Sequence, residues 1–164
     1  MYDIEKLLDD VKAILVTKLN AKIADISAEK ASEANTLATP LLDTVEGIFF
    51  HTWDDKILNH SPAILYGLRS SEVDGSGLSN AAEKVTIFIE VYYTNPMNEI
   101  SDAAGTRRML RYMRALKEVL QENFDNNELR SKIKIKTFTP MSFRLDESSD
   151  DIKVGGVEVE TSLV

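Results

Sequence analysis

The sequence predicts an α+β fold, in which a mainly antiparallel four-stranded sheet carries two amphipathic helices packed on one face. Apolar residues recur at intervals of three and four in segments 4–26 and 101–124, which is typical of helices with one buried face. Apolar and polar residues alternate in 85–93 and again in two segments near the C-terminus, which is typical of strands. Residues 1–164 are therefore expected to form a single two-layered domain.

The first predicted helix begins at Asp3, whose carboxylate can cap the free backbone N–H groups of the first turn. Acidic residues come early in this segment and lysines later, which is the order that the helix dipole favours. The period predicts a helix of about six turns. Its expected core face consists of Ile4, Leu7, Leu8, Val11, Ile14, Leu15, Leu19, Ile23 and Ile26.

Residues 27–60 are expected to be an embellishment or insertion between the first helix and the first core strand. Small and polar residues dominate up to Thr44 and Pro40 interrupts them, so the helix either continues to about Ala34 or gives way to a loop. The aromatic segment Gly47–Trp53 is too apolar to be left in water. It predicts a short strand or a helical turn over one end of the core.

The core strands are predicted to begin after Pro62, with Ala63–Leu68, and to continue with Val85–Tyr93, the strongest strand pattern in the chain. Odd-numbered residues of 85–93 are expected to face the core. The opposite face carries Phe88 and Tyr92. Such an aromatic outer face is either covered by the N-terminal third or used for self-association, and the sequence leaves both open.

Two further strands are predicted to close the chain. Lysines alternate with apolar residues in 132–139, and glutamates alternate with valines in 154–163. If the two strands pair, lysines lie opposite glutamates, and each such pair contributes roughly 0.2–1 kcal/mol. An acidic hairpin tip, 146–151, is expected between them.

Composition excludes several classes of function. The net charge of −8 and pI of about 4.8 argue against nucleic acid as the main partner, because duplex binding needs a basic surface. The absence of cysteine excludes disulfides, thiolate catalysis and sulfur-ligated zinc. No apolar run approaches the roughly 18–20 residues that a membrane span needs, and the acidic N-terminus does not resemble a signal peptide. We therefore expect a soluble, intracellular protein without a membrane partner.

No catalytic, cofactor-binding or metal-binding site is predicted. His51 and His60 enclose Asp54 and Asp55 but lack a metal-ligand spacing. No GxSxG, GxxxxGK[ST] or GxGxxG motif is present, so the glycines of 75–77 indicate a flexible turn. An enzyme is accordingly the least favoured class.

An arginine cluster occupies the first half of the second predicted helix: Arg107, Arg108, Arg111 and Arg114. Cations are disfavoured there by the helix dipole. Arg107, Arg111 and Arg114 are expected on one face, at spacings of four and three. The cluster is interpreted either as a solvated face or as a contact surface for a carboxylate-rich neighbour or for nearby nucleic acid.

The order of elements resembles a family of tailed-phage proteins, the tail terminators and related tail-completion or head–tail joining subunits. The likeness covers the chain outside 27–60, a segment that is longer here than this family leads one to expect. Element order and size carry it more than signature residues do. The matching parts are the helix from Asp3, the strand entry Ser61–Gly67, the strand Val85–Tyr93 with the helix Ser101–Phe124, and the hairpin with Phe143-Arg144-Leu145 before an acidic turn and a valine-rich strand.

This resemblance implies a structural virion protein without enzymatic activity or cofactor. It implies a homo-oligomeric ring, typically a hexamer, that caps the tail tube and joins it to the head connector while DNA passes through the lumen. The protein would be found in the virion neck, after assembly in the host cytoplasm. The subunit interface would pair the arginine cluster with a neighbour's acidic tip, namely Asp146, Glu147, Asp150 and Asp151.

Two alternatives stay open at this point. One is another neck or tail-completion subunit, of a phage or of a phage-like injection machine. The other is a small ligand-binding regulatory domain whose pocket would be lined by Phe49, Phe50, Trp53 and Tyr66.

Overall fold

The fold was analysed in a computed structural model, which describes residues 3–31, 43–50, 55–73, 82–95, 102–124, 133–143 and 151–163. It contains two long helices, five strands and one short 3₁₀ helix. In chain order these are α1 (Ile4–Ala31), β1 (Gly47–Phe50), the 3₁₀ helix Asp55–His60, β2 (Ala63–Val73), β3 (Glu83–Asn95), α2 (Asp102–Asn123), β4 (Lys134–Phe143) and β5 (Asp151–Leu163). The predicted α+β class is confirmed.

The sheet is five-stranded and mixed, with the order β1-β2-β3-β5-β4. The prediction of four mainly antiparallel strands was wrong because it left out β1. That strand pairs with β2 in parallel, from Gly47 opposite Ala63 to Phe50 opposite Tyr66. Four residues are too few to show a strand period, so the pattern of 47–50 could not distinguish a strand from a helical turn.

The C-terminal strand β5 lies between β3 and β4 and is antiparallel to both. Strands β3 and β4 are therefore parallel to each other, and α2 connects them. This is a split β-α-β arrangement, in which the last strand fills the gap that the crossover leaves. As predicted, lysines lie opposite glutamates in the closing hairpin: Lys134 pairs with Glu160 and Lys136 with Glu158.

Both helices pack on the same face of the sheet. Val85, Ile87, Ile89 and Val91 of β3 are at most 1% exposed and contribute to one cluster with α1 and α2, which confirms the predicted core face of this strand. The first helix begins as predicted, since the backbone N–H of Lys6 donates to Asp3 Oδ1 at 2.9 Å. It spans 28 residues, about 42 Å, and continues past Ile26 to Ala31, so of the two possibilities for the following segment the helix continues.

As far as the described residues show, the other face of the sheet is covered at one end. Ile57 of the 3₁₀ helix packs there with Leu65, Tyr92 and Val154 in a second, smaller core. At this end the N-terminal third thus covers the outer face of β3, one of the two possibilities that the sequence left open. Farther along the strand Phe88 stays partly exposed.

No helix among the described residues is long and apolar enough to cross a membrane.

Candidate subunit interface

The four arginines of α2 occupy different environments. Arg107 is exposed, Arg111 and Arg114 are partly exposed, and Arg108 is only 5% exposed. Successive residues of a helix point about 100° apart, so Arg108 turns toward the core while its neighbour Arg107 turns toward solvent. The predicted common face of Arg107, Arg111 and Arg114 is consistent with these exposures.

Arg108 holds the segment before β1 against α2. Its guanidinium lies 4.9 Å from the centre of the Tyr93 ring, donates to the Tyr93 hydroxyl, and lies 3.4 Å from Asp43 Oδ2. The Tyr112 hydroxyl donates to the Asp43 carbonyl oxygen at 2.9 Å, and burial raises the pKa of this tyrosine. These contacts lie within one subunit, and they give Arg108 a structural role.

Arg114 connects the two helices. Its two terminal nitrogens donate to the Glu29 carboxylate at 2.8 and 2.9 Å, and its Nε donates to Glu118 at 2.6 Å. The hydrogen bonds from Arg114 hold the pKa of Glu29 at about 2. A second ion pair between the helices joins Lys22 to Glu122 at 2.7 Å. The charge of Arg114 is thus largely engaged inside the subunit.

Glu29→Gln should therefore lower stability at neutral pH but not in strong acid. The folded-state pKa of about 2 lies below the value of roughly 4.3 for an unfolded glutamate. The ion pair consequently stabilises the fold above the unfolded pKa, and this contribution is lost as the pH falls toward the folded pKa. Urea midpoints of wild type and variant should be measured between pH 7 and pH 2. The two should converge as the pH falls from the unfolded pKa, roughly 4.3, toward the folded pKa of about 2.

The control for this titration is Glu46→Gln. Glu46 is exposed, lies outside both helices, where the helix dipole does not act on it, and makes no ion pair with any residue in the described ranges. Its variant should follow the wild-type curve throughout. A Glu29→Gln difference that persists unchanged at pH 2 would show that the carboxylate charge is not the cause.

Of the predicted acidic tip, the structure describes only its last residue. Asp151 begins β5 and lies 3.2 Å from Lys153, whose side chain is almost fully buried and donates to Ser142 Oγ at 2.6 Å. Asp146, Glu147 and Asp150 lie outside the described residues. The pairing between this tip and the arginines stays a prediction, and Arg107 and Arg111 are the two arginines that make no ion pair within the described ranges.

A groove between α2 and β4 was not predicted from the sequence. It has a volume of about 320 Å³, and Leu110, Met113, Lys117 and Thr137 contribute to its lining. The apolar period of 101–124 includes Leu110 and so predicts that it faces the core, but it is 49% exposed and lines the groove. Leu110 lies about 100° around the helix from the buried Met109, beyond the side of α2 that faces the sheet.

Of the four aromatic residues proposed to line a ligand pocket, the three that the structure describes do not share one face of the sheet. The Phe50 ring packs at 5.3 Å from Tyr66, on the helix side of the sheet. Phe49 belongs to the core on the other side, where its ring lies 5.5 Å from His60. Trp53 and His51 lie outside the described residues. Within the described ranges no group of three or more potential ligands is placed to hold a metal ion.

Comparison with protein-family models gives no match for this sequence. A comparison with curated proteins gives none either.

Proposed function

We propose that this chain is a structural subunit of the tailed-phage tail-terminator type, which assembles into a hexameric ring between the tail tube and the head connector. The observation that carries the proposal is the order of elements, with α1 first, the β2–β3 pair next, then α2 and the closing β4–β5 hairpin, and with both helices on one face. This is the order on which the resemblance rests. Strand β1 is an addition to it.

The charge distribution supports a ring through which DNA passes without binding tightly. The chain carries a net charge of −8, so its surface as a whole repels a phosphate backbone. The ring would act through three surfaces: one toward the tube, one toward the connector, and one between subunits. Arg107 and Arg111 are the candidates for contact with the neighbour's acidic tip. The working location would be the virion neck.

The test is the mass of the purified protein by light scattering after size exclusion, over a concentration series. The expected result is one species at six times the subunit mass of 18.4 kDa, either throughout or as the concentration rises, with ring-shaped particles in negative stain. A monomer at every concentration would contradict spontaneous ring formation. A stable mass other than the hexamer would favour a different neck or tail-completion subunit.

A further inference from the structure

The sheet has two edges whose backbone groups are open among the described residues. Beyond Tyr66, where β1 ends, the residues Ser70–Val73 of β2 pair with β3 alone. At the other end of the strand order, β4 pairs with β5 alone. An exposed row of unpaired N–H and C=O groups is a template for another strand, and folded proteins usually cover or blunt it.

The open stretches are similar in length, with four residues on β2 (Ser70–Val73) and five on β4 (Lys134–Phe138), and each is bounded at one end by an irregularity in the strand pairing. On β4 the regular pairing ends at Phe138, and the ladder is irregular between Phe138 and Met141. Pro140 lies in this interval and has no N–H to offer a partner. On β2 the pairing with β3 is irregular between Leu68 and Ser70. Each edge thus offers one short regular run, bounded at one end by a bulge.

We infer that these two edges pair with each other between adjacent subunits, so that β4 of one copy is continued by Ser70–Val73 of β2 in the next. This inference rests on the proposed ring and specifies its subunit contact. The direction of the strands agrees with it. Along β2, β3, β5 and β4 the chain direction alternates, and adding β2 of a second copy beyond β4 in the same orientation continues that alternation and keeps the helices on one side.

Side-chain chemistry selects a register. Antiparallel pairing that keeps the helix faces aligned can place Val73 opposite Ile135, Glu72 opposite Lys136 and Ser71 opposite Thr137. Ile135 packs against the main core, and Val73 is 64% exposed, so the first pair would bury an apolar side chain that is now in water.

The second pair would join opposite charges on the outer face. Lys136 already bonds Glu160 there, and the side chain of Lys136 is 59% exposed. Glu72 is exposed as well. Opposite charges directly across a ladder stabilise strand pairing, and they would also specify which edge meets which.

Exposed apolar side chains mark the same two edges. Five large apolar side chains are exposed among the described residues; three of them lie on the strands at the two ends of the sheet, and a fourth, Leu110, lies on α2 beside β4. Phe50 and Val73 belong to the β1–β2 side, whereas Met141 and Leu110 belong to the β4 side with its groove. Since the edges lie at opposite ends of one sheet, the contact is head-to-tail, and a repeated head-to-tail contact closes into a ring when the rotation per subunit allows it.

Cysteine cross-linking tests this contact, because the natural chain contains no cysteine. Ser71→Cys and Thr137→Cys would be made singly and together, both at exposed positions. Directly opposed residues on paired strands have Cα atoms about 4.5–5.5 Å apart, within the range of a disulfide. Under mild oxidation we expect little cross-linking of either single variant, a covalent dimer when the two are mixed, and a ladder of higher multimers from the double variant.

The matched control is Ser70→Cys mixed with Thr137→Cys. Ser70 is adjacent to Ser71 but lies on the other face of β2, so this mixture should cross-link at least several-fold less. Melting temperatures of all variants should equal that of the wild type, which excludes cross-linking through unfolded chains.

The outcomes separate this contact from the proposed function. A covalent dimer from Thr137→Cys alone would overturn the inference in favour of a symmetric pairing of two β4 edges. A hexamer by light scattering with no cross-link from the mixture would overturn the contact and leave the ring intact. A head-to-tail ladder from a protein of stable mass other than six subunits would support the contact and contradict the hexameric ring.

Discussion

Gly156→Ala is expected to lower the free energy of unfolding by about 3 kcal/mol, the upper end of the range for overpacking. A Cβ atom at this position would lie 2.1 Å from the Ile89 carbonyl oxygen and 2.9 Å from the Glu90 Cα atom. Both atoms belong to the backbone of β3, which pairs with β5 along its full length. The clash can be relieved only by moving the two central strands apart.

The neighbouring Gly155→Ala is the matched control. Its Cβ atom would meet Met113 Sδ at 2.7 Å and Met109 Cγ at 2.9 Å, on the face where α2 crosses the sheet. Methionine side chains are flexible and can shift, so we expect a loss of about 1 kcal/mol. Without any clash, alanine in place of a strand glycine would instead stabilise by roughly 0.5–1 kcal/mol, because glycine loses more conformational freedom on folding.

Urea unfolding of the two variants at equal protein concentration measures the difference. A shift in the urea midpoint with an unchanged m-value, the slope of the unfolding free energy against urea concentration, would mean that only stability has changed. If Gly156→Ala proves as stable as Gly155→Ala, the close approach of β3 and β5 at Gly156 is not rigid.

Long periodic segments were predicted well because their pattern is local. Helix α2 was expected at 101–124 and is found at Asp102–Asn123, and β3 extends the predicted strand 85–93 by two residues at each end. Each element shows enough repeats of its own period to be identified without knowing its neighbours.

Strand order was not accessible in this way, because it depends on contacts between distant segments. The pairing of β1 with β2 and the place of β5 in the middle of the sheet both belong to this class. One local signal for β5 exists. Residues 152–157 of β5 are all buried, on both faces of the sheet, as expected for a central strand. The residues of β4 are partly buried or exposed. The sequence Val154-Gly155-Gly156-Val157 carries this signal, since small and apolar residues occupy successive positions.

The roles of the four arginines within the subunit also depend on more than the local pattern. Four arginines within eight positions are conspicuous in sequence, but only their phase on the helix separates their roles. Arg108 stands four residues before the buried Tyr112, and therefore on the core stripe. The two open sheet edges could not be recognised before the strand order was known.

Arg108→Ala is expected to cost about 2–4 kcal/mol of stability, whereas Arg107→Ala should change stability by less than about 0.5 kcal/mol. The first variant removes the cation over the Tyr93 ring, the hydrogen bond to its hydroxyl and the volume of a side chain that is 5% exposed. Asp43 loses its ion-pair partner as well, although its own side chain is 64% exposed and remains hydrated. The second variant removes an exposed side chain.

Urea unfolding and light scattering of both variants separate a structural arginine from an interface arginine. Arg108→Met keeps much of the buried volume, so it should recover part of the loss if packing contributes, while the hydrogen bond to Tyr93 stays absent. Arg107→Ala should leave the unfolding midpoint unchanged, and if Arg107 contacts a neighbouring subunit it should raise the concentration at which the oligomer forms. Equal and small stability losses at both positions would contradict the structural role of Arg108, because removing a buried cation that contacts the Tyr93 ring and hydroxyl should cost more stability than removing a hydrated one.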